Sequence, residues 1–403
     1  MDISQQKFIK TGIINLTIVA TIGVLMRYKI GFEFPYFDQK HLLHAHSHFA
    51  FSGWVTHILF TLLVLFLKEN SSDTIKYKKY NILIISNLLC AYGMLFAFAA
   101  QGYGAVSITF STLSIVVGYV FTWFYFKDLI NIRSNHPSKK WFKAGLFFNI
   151  LSSFGTFYLA YMMASKHIHL YAYLEAVYFY LHFQYSGWFF FAIIGLLMSR
   201  LCVLADFKDD TSIFKSLFVA CIPAYLLSVL WLELPWYLFI FPVLAVVFQL
   251  YGLMRFLLLL KSNLTQIQTT WIRPVRIILG LSLMALIIKF LLQAGSIFPD
   301  ISKLAFGFRS IVIAYLHLVL LGVTTLFLLG YLLLCGYIKH IRLVFTSLFL
   351  FCIGVFANEI VLTVQGVASF GYILIPYLNE ILLMVSVFML VSLMILLFSF
   401  KKA

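Results

Sequence analysis

His48, His182 and His317 recur at nearly one third of the chain each, 134 and then 135 residues apart, and each has a glycine five positions on: Gly53, Gly187 and Gly322. The first two sit in closely similar words, His48-Phe49-Ala50-Phe51-Ser52-Gly53-Trp54 and His182-Phe183-Gln184-Tyr185-Ser186-Gly187-Trp188. The third keeps only the frame, His317-Leu318-Val319-Leu320-Leu321-Gly322. A neutral imidazole coordinates iron or copper without first losing a proton, so a histidine repeated at a fixed period offers a set of metal or haem ligands. The same repetition also suits a structural role. An imidazole can hydrogen-bond a neighbouring helix while the glycine lets two backbones approach closely.

Other side chains surround these three. Helical spacing puts His41, His44 and His48 on one face and His46 and His57 on the opposite one. Around His182 the same spacing aligns Glu175, Tyr178, Tyr185 and Ser186 on one stripe, either a shell and proton path for a ligated metal or plain packing aromatics. His167 and His169 are solvated loop residues, or else join His41 and His44 in an outer metal patch or meet haem propionates. Lys289, Glu359 and Glu380 fall within or near the ends of apolar stretches, where they form ion pairs or a proton route, or snorkel toward a membrane surface.

The elements that must hold these residues follow from composition. The 403 residues are 63% hydrophobic and 11% charged, and the mean hydropathy is +0.98. A soluble domain cannot hide that much apolar surface, so lipid is the expected solvent. Apolar stretches run at about 9–28, 41–67, 80–101, 105–127, 141–164, 171–201, 213–232, 235–260, 274–295, 306–336, 341–364 and 374–400. They predict an all-α polytopic membrane protein of about twelve helices, since runs so continuous do not alternate as barrel strands must. Of the 29 Lys and Arg residues, 22 fall at the termini or in the even-numbered connections, which predicts that both termini are cytoplasmic. The net charge of +15 is therefore a topology signal and implies no nucleic acid. The first stretch has no small-residue cleavage site and is expected to stay as a helix.

The period extends beyond the histidines. Lys10, Lys143 and Arg276 open the first, fifth and ninth stretches at intervals of 133 residues, and Gln101, Glu233 and Gln365 close the third, seventh and eleventh at intervals of 132. The expected organisation is one membrane domain of three pseudo-symmetric four-helix repeats, about 1–134, 135–268 and 269–403, in a shared orientation. His182 and His317 then lie about eleven residues into their stretches, near mid-membrane, where a polar side chain should face the interior. The five cysteines form no CxxC pair and no CxxCH, which leaves no sign of a zinc ribbon or of covalently attached haem.

Twelve helices in three groups of four, with histidines in the second, sixth and tenth, resemble subunit I of haem–copper oxidases. They are equally similar to the smaller NnrS-type haem- and copper-containing membrane proteins, whose second helix carries a His-Ala-His stretch like His44-Ala45-His46. The resemblance implies a low-spin haem b held between His317 and His48, or His44 or His46 in another register, and places His182 at a copper site. Two departures limit it. Residues 213–232 contain no histidine where the oxidases supply two for copper, and Tyr315 stands where they carry the ligand of the oxygen-binding haem. A complete oxygen reductase is therefore not expected.

The expectation is an oxidoreductase-like, haem-binding protein of the bacterial inner membrane. It would serve electron transfer with a quinol or cytochrome partner, or respond to nitric oxide. Two alternatives belong to other classes: a transporter or channel lined by His182, His317, Glu233, Gln101 and Gln365, and a membrane enzyme with non-haem iron. Against transport, no stretch is broken mid-membrane by paired Gly and Pro, apart from Pro223 and Pro235 around the seventh.

Overall fold

A computed structural model describes residues 3–71, 75–133, 135–167, 169–232 and 234–400. Glu233, Lys401 and Lys402 lie outside the described residues. The described chain is helical throughout, with no strand. Its long helices are α1 (Ile3–Gly31), α2 (Gln39–Asn70), α3 (Lys78–Gln101), α4 (Ala105–Asn131), α5 (Ser138–Ser165), α6 (Leu170–Leu201), a short α7 (Thr211–Cys221), α8 (Trp236–Ser262), α9 (Arg273–Gly295), α10 (Arg309–Leu334), α11 (Arg342–Phe370) and α12 (Leu378–Ser399). Among the described residues, eleven of these are long and apolar enough to cross a membrane; α7 is not. The protein is an all-α, multi-pass membrane protein.

The exception corrects the sequence reading. The stretch 213–232 is expected as one spanning helix with Pro223 as a breaker; α7 ends at Cys221 and gives way to a 3-10 turn at Pro223–Ser228, too short to span. Pro223 has no N–H to donate and its ring crowds the preceding turn, which disfavours a continued α-helix, and the chain turns 3-10 at this point. Elsewhere the boundaries follow local chemistry. The Asp38 carboxylate accepts the N–H groups of Lys40 and His41 and opens α2, and Asp210 does the same for Ser212 at α7. Gly102, at φ +62°, ends α3 in a conformation that favours glycine.

The chain divides into two compact units, each described by itself. The first comprises Met1–Arg133, Ile277–Leu281 and Thr325–Ala403, and the second Ser134–Arg276 and Ser282–Thr324. Within the first, α2 is the most enclosed helix, 89% buried over its most apolar window, with α1 and α3 packed against it and α12 against α1. Within the second, α6 holds that position at 94% buried, with α5 along it and the α7–α8 pair beside. By contrast α4 and α12 are 22% and 28% buried and present large side chains such as Trp123, Met384 and Val391 outward. A polar outer face would be required in water, so these faces suit lipid.

Candidate functional site

The three histidine frames share one backbone device. His48 is followed by a π-helical segment at Ala50–Thr56, His182 by one at Phe183–Phe189, and His317 by one at Leu318–Thr325. Gly53, Gly187 and Gly322 each fall inside the segment. A π turn widens the hydrogen-bond ladder by one residue, and such turns gather at functional positions. Buried polar side chains of neighbouring helices reach the loosened carbonyls. Asn15 of α1 donates to Gly53 O, Asn87 of α3 to Ser52 O at 3.0 Å, Cys221 Sγ of α7 to Ser186 O at 3.6 Å, and Ser282 of α9 to Val323 O at 2.7 Å. These residues explain polar atoms at the centre of apolar helices: each completes a ladder that the wide turn leaves short.

In the first unit the histidines of α2 divide as their spacing dictates. The ring of His48 stacks on Phe98 at 4.3 Å, its Nε2 is 3.3 Å from the Tyr103 hydroxyl, and His44 meets Tyr103 edge-on at 4.6 Å. Gly102 leaves room for the ring of His41, which a Cβ there would strike at 2.5 Å. The other face is tied to α1: His46 Nδ1 lies 3.1 Å from Val19 O, and His57 Nε2 donates to Phe8 O at 2.8 Å. His46 and His57 are thus helix-to-helix links, whereas His48 is half-buried in an aromatic corner at the α3–α4 turn.

In the second unit His182 is fully buried, and its Nε2 lies 2.8 Å from the Cys221 carbonyl. In an uninterrupted helix the N–H of Tyr225 would take that carbonyl. Here it bonds Ile222 O in the 3-10 turn, and the imidazole takes its place. The carbonyl can only accept, so Nε2 carries the proton. Nδ1 is left with a lone pair that finds no hydrogen-bond partner among the described residues. Gly187 makes the close packing possible, since a Cβ there would lie 2.5 Å from Phe148 Cβ.

The stripe expected around His182 is only partly assembled. Tyr185 is buried, and the Tyr185 and Tyr315 rings meet edge-on at 6.2 Å. Tyr178 packs against Phe306 instead, and Glu175 enters through its backbone carbonyl, which accepts from Tyr225 Oη at 3.2 Å. His167 and His169 are exposed, and the His167 ring turns back to Ser165 O. Glu380 is exposed in the first turn of α12, where a carboxylate favours the helix dipole. Glu359 is buried and accepts from Asn358 at 3.2 Å. Lys289 is buried at 2% exposure, with its Nζ over the rings of Phe290 at 4.7 Å and Phe190 at 5.8 Å.

The donor sets separate the two cofactors implied by resemblance. At His182, Nε2 is already committed to the Cys221 carbonyl and only Nδ1 keeps a lone pair, and no group of three His, Cys, Asp or Glu side chains that could hold a metal ion occurs among the described residues. The residues around His182 do not fit copper. His48 suits an axial haem ligand better, because its Nε2 meets only a phenol hydroxyl at a long distance and flat aromatic side chains surround it. His48 belongs to the first unit, and His182 and His317 to the second. Sequence reasoning missed the partners Phe98, Tyr103 and the Cys221 carbonyl; of these only the last had a signal, Pro223. No family model and no curated protein matches the chain.

Proposed function

We propose that the chain is built from three parallel four-helix repeats with both termini in the cytoplasm of a bacterial inner membrane, and that it binds haem b with His48 as an axial ligand. The single observation that carries this reading is the recurrence of one device, a histidine followed by a π turn, in α2, α6 and α10. His48 stands in an aromatic corner with a yielding partner on Nε2, and His317 occupies the same place relative to its own π turn. His182, the third copy, is used structurally. A bound haem would supply a one-electron redox couple. The polar and aromatic side chains of Tyr103 and Phe98 would orient the His48 ring and exclude water from it. The activity is then electron transfer with a quinol or cytochrome, or a response to nitric oxide.

The test is the absorption spectrum of detergent-purified protein, oxidised and dithionite-reduced. A Soret band with sharp reduced bands is expected, lost in His48→Ala and kept in His182→Ala. A colourless protein recovered from haem-replete cells overturns the reading.

A second reading rests on a different observation, the break of α7 at Pro223 within an apolar stretch. Discontinuous helices expose backbone carbonyls at membrane depth and are a mark of transporters. Solute flux into protein-loaded vesicles, with a colourless protein, would favour it.

A further inference from the structure

We propose that the cavity beside Lys289 binds a small inorganic anion of halide size. It lies within the second unit, where the π turn of α6 meets the broken end of α7, and its walls include Ser186, Cys221, Gln249, Lys289, Phe190 and Phe290. The four polar side chains are each at least 94% buried. Two of them, Ser186 Oγ and Gln249 Oε1, have no hydrogen-bond partner among the described residues. Lys289 meets no carboxylate there either; its ammonium group rests on aromatic faces. A charge buried without a counter-charge is costly, and an intramembrane ionisable residue marks a ligand or ion site.

The convergent chemistry is that of donors. Lysine offers three N–H groups, serine one O–H, and glutamine an NH2 once its amide is turned about, since the two ends of an amide are assigned from their partners. The room is that of about one water molecule, which excludes phosphate, sulfate and carboxylates. A monatomic anion satisfies the charge and the donors and is the smallest anion that could enter. The proposal uses neither His48 nor His317 and stands apart from the haem reading.

Thermal unfolding of the full chain in detergent tests it, in potassium chloride, bromide or gluconate at constant ionic strength. The melting temperature is expected to rise saturably with chloride and bromide and not with gluconate, which is too large to enter. Lys289→Gln should abolish the halide dependence, and Ser186→Ala should weaken the apparent affinity by about tenfold, the loss of one hydrogen bond to an ion. Line broadening of the chloride-35 resonance, titrated with wild type and Ser186→Ala, reads binding without reference to folding and should be smaller for the variant. Equal behaviour in halide and gluconate overturns the proposal, as does an unchanged halide response in Lys289→Gln. A halide-insensitive wild type with a more stable Lys289→Gln also overturns it, by showing a neutral lysine beside a water.

Discussion

The His48 end of α2 and the His182 end of α6 carry the same words, His-x3-Ser-Gly-Trp, and the same π turn, yet their imidazoles do different things. Beside α2, His48 stacks on the ring of Phe98 near the end of α3 and meets the Tyr103 hydroxyl at 3.3 Å. Beside α6, Pro223 breaks α7 and frees the Cys221 carbonyl, which His182 takes. The local sequence sets the backbone; what the neighbouring helix presents at that point sets the task of the side chain.

The sharpest way to break this comparison is to remove each ring. His182→Leu is expected to cost about 2–4 kcal/mol, because it leaves a buried carbonyl without a donor and alters a packed core. His48→Ala, at a half-buried position, should cost about 1 kcal/mol or less while removing the haem spectrum. Thermal melts of both variants in one detergent check the pair, and equal losses would end the distinction. Next comes the capping of the two π turns. Asn87→Leu should destabilise by about 1–2 kcal/mol through the Ser52 carbonyl, whereas Cys221→Ala should lose only a few tenths from its weak S–H donor.

Pro223→Ala sharpens the argument by coupling. It lets the Tyr225 N–H compete for the Cys221 carbonyl, so His182→Leu should cost about 1 kcal/mol less in that background than in the wild type. Additive effects would show that the break and the imidazole are unrelated. The smallest expected effect is on pH. His136 lies outside the spans at the start of α5, where its Nδ1 accepts the Ser138 N–H and its Nε2 meets Cys202 Sγ at 3.8 Å. Burial, then the charge of Lys139, pushes its pKa below the ordinary 6.5. The neutral form is thus favoured in the fold, and its contribution is present above about pH 6.5 and lost as pH falls. The melting temperature should drop by a degree or two between pH 7.5 and 5.5, and His136→Asn, which keeps a capping acceptor without titrating, should flatten that slope.

Hydropathy alone located the long helices, because twenty apolar residues in a row have one inexpensive fate in a membrane. Spacing alone divided α2, and the structure keeps His41, His44 and His48 apart from His46 and His57 as a 100° step requires. Hydropathy failed at residues 213–232, where Pro223 is one apolar residue among many on any such scale and yet decides the backbone. The π turns were invisible for the same reason: they change hydrogen-bond partners by one residue and leave composition untouched. The partner of each imidazole was also beyond the sequence, since it depends on which helix lies opposite and whether that helix has a carbonyl to give.

A π turn holds one more residue than the α turn it replaces. Wound back to regular geometry, it would swing everything on its N-terminal side by about 100°, the step of a single residue. His48, His182 and His317 each stand just upstream of such slack, so the wide turn acts as a fixed swivel that aims the ring. Deleting one residue from the segment would straighten the helix and leave both flanking faces where they are, while inserting one would turn the imidazole toward a different neighbour.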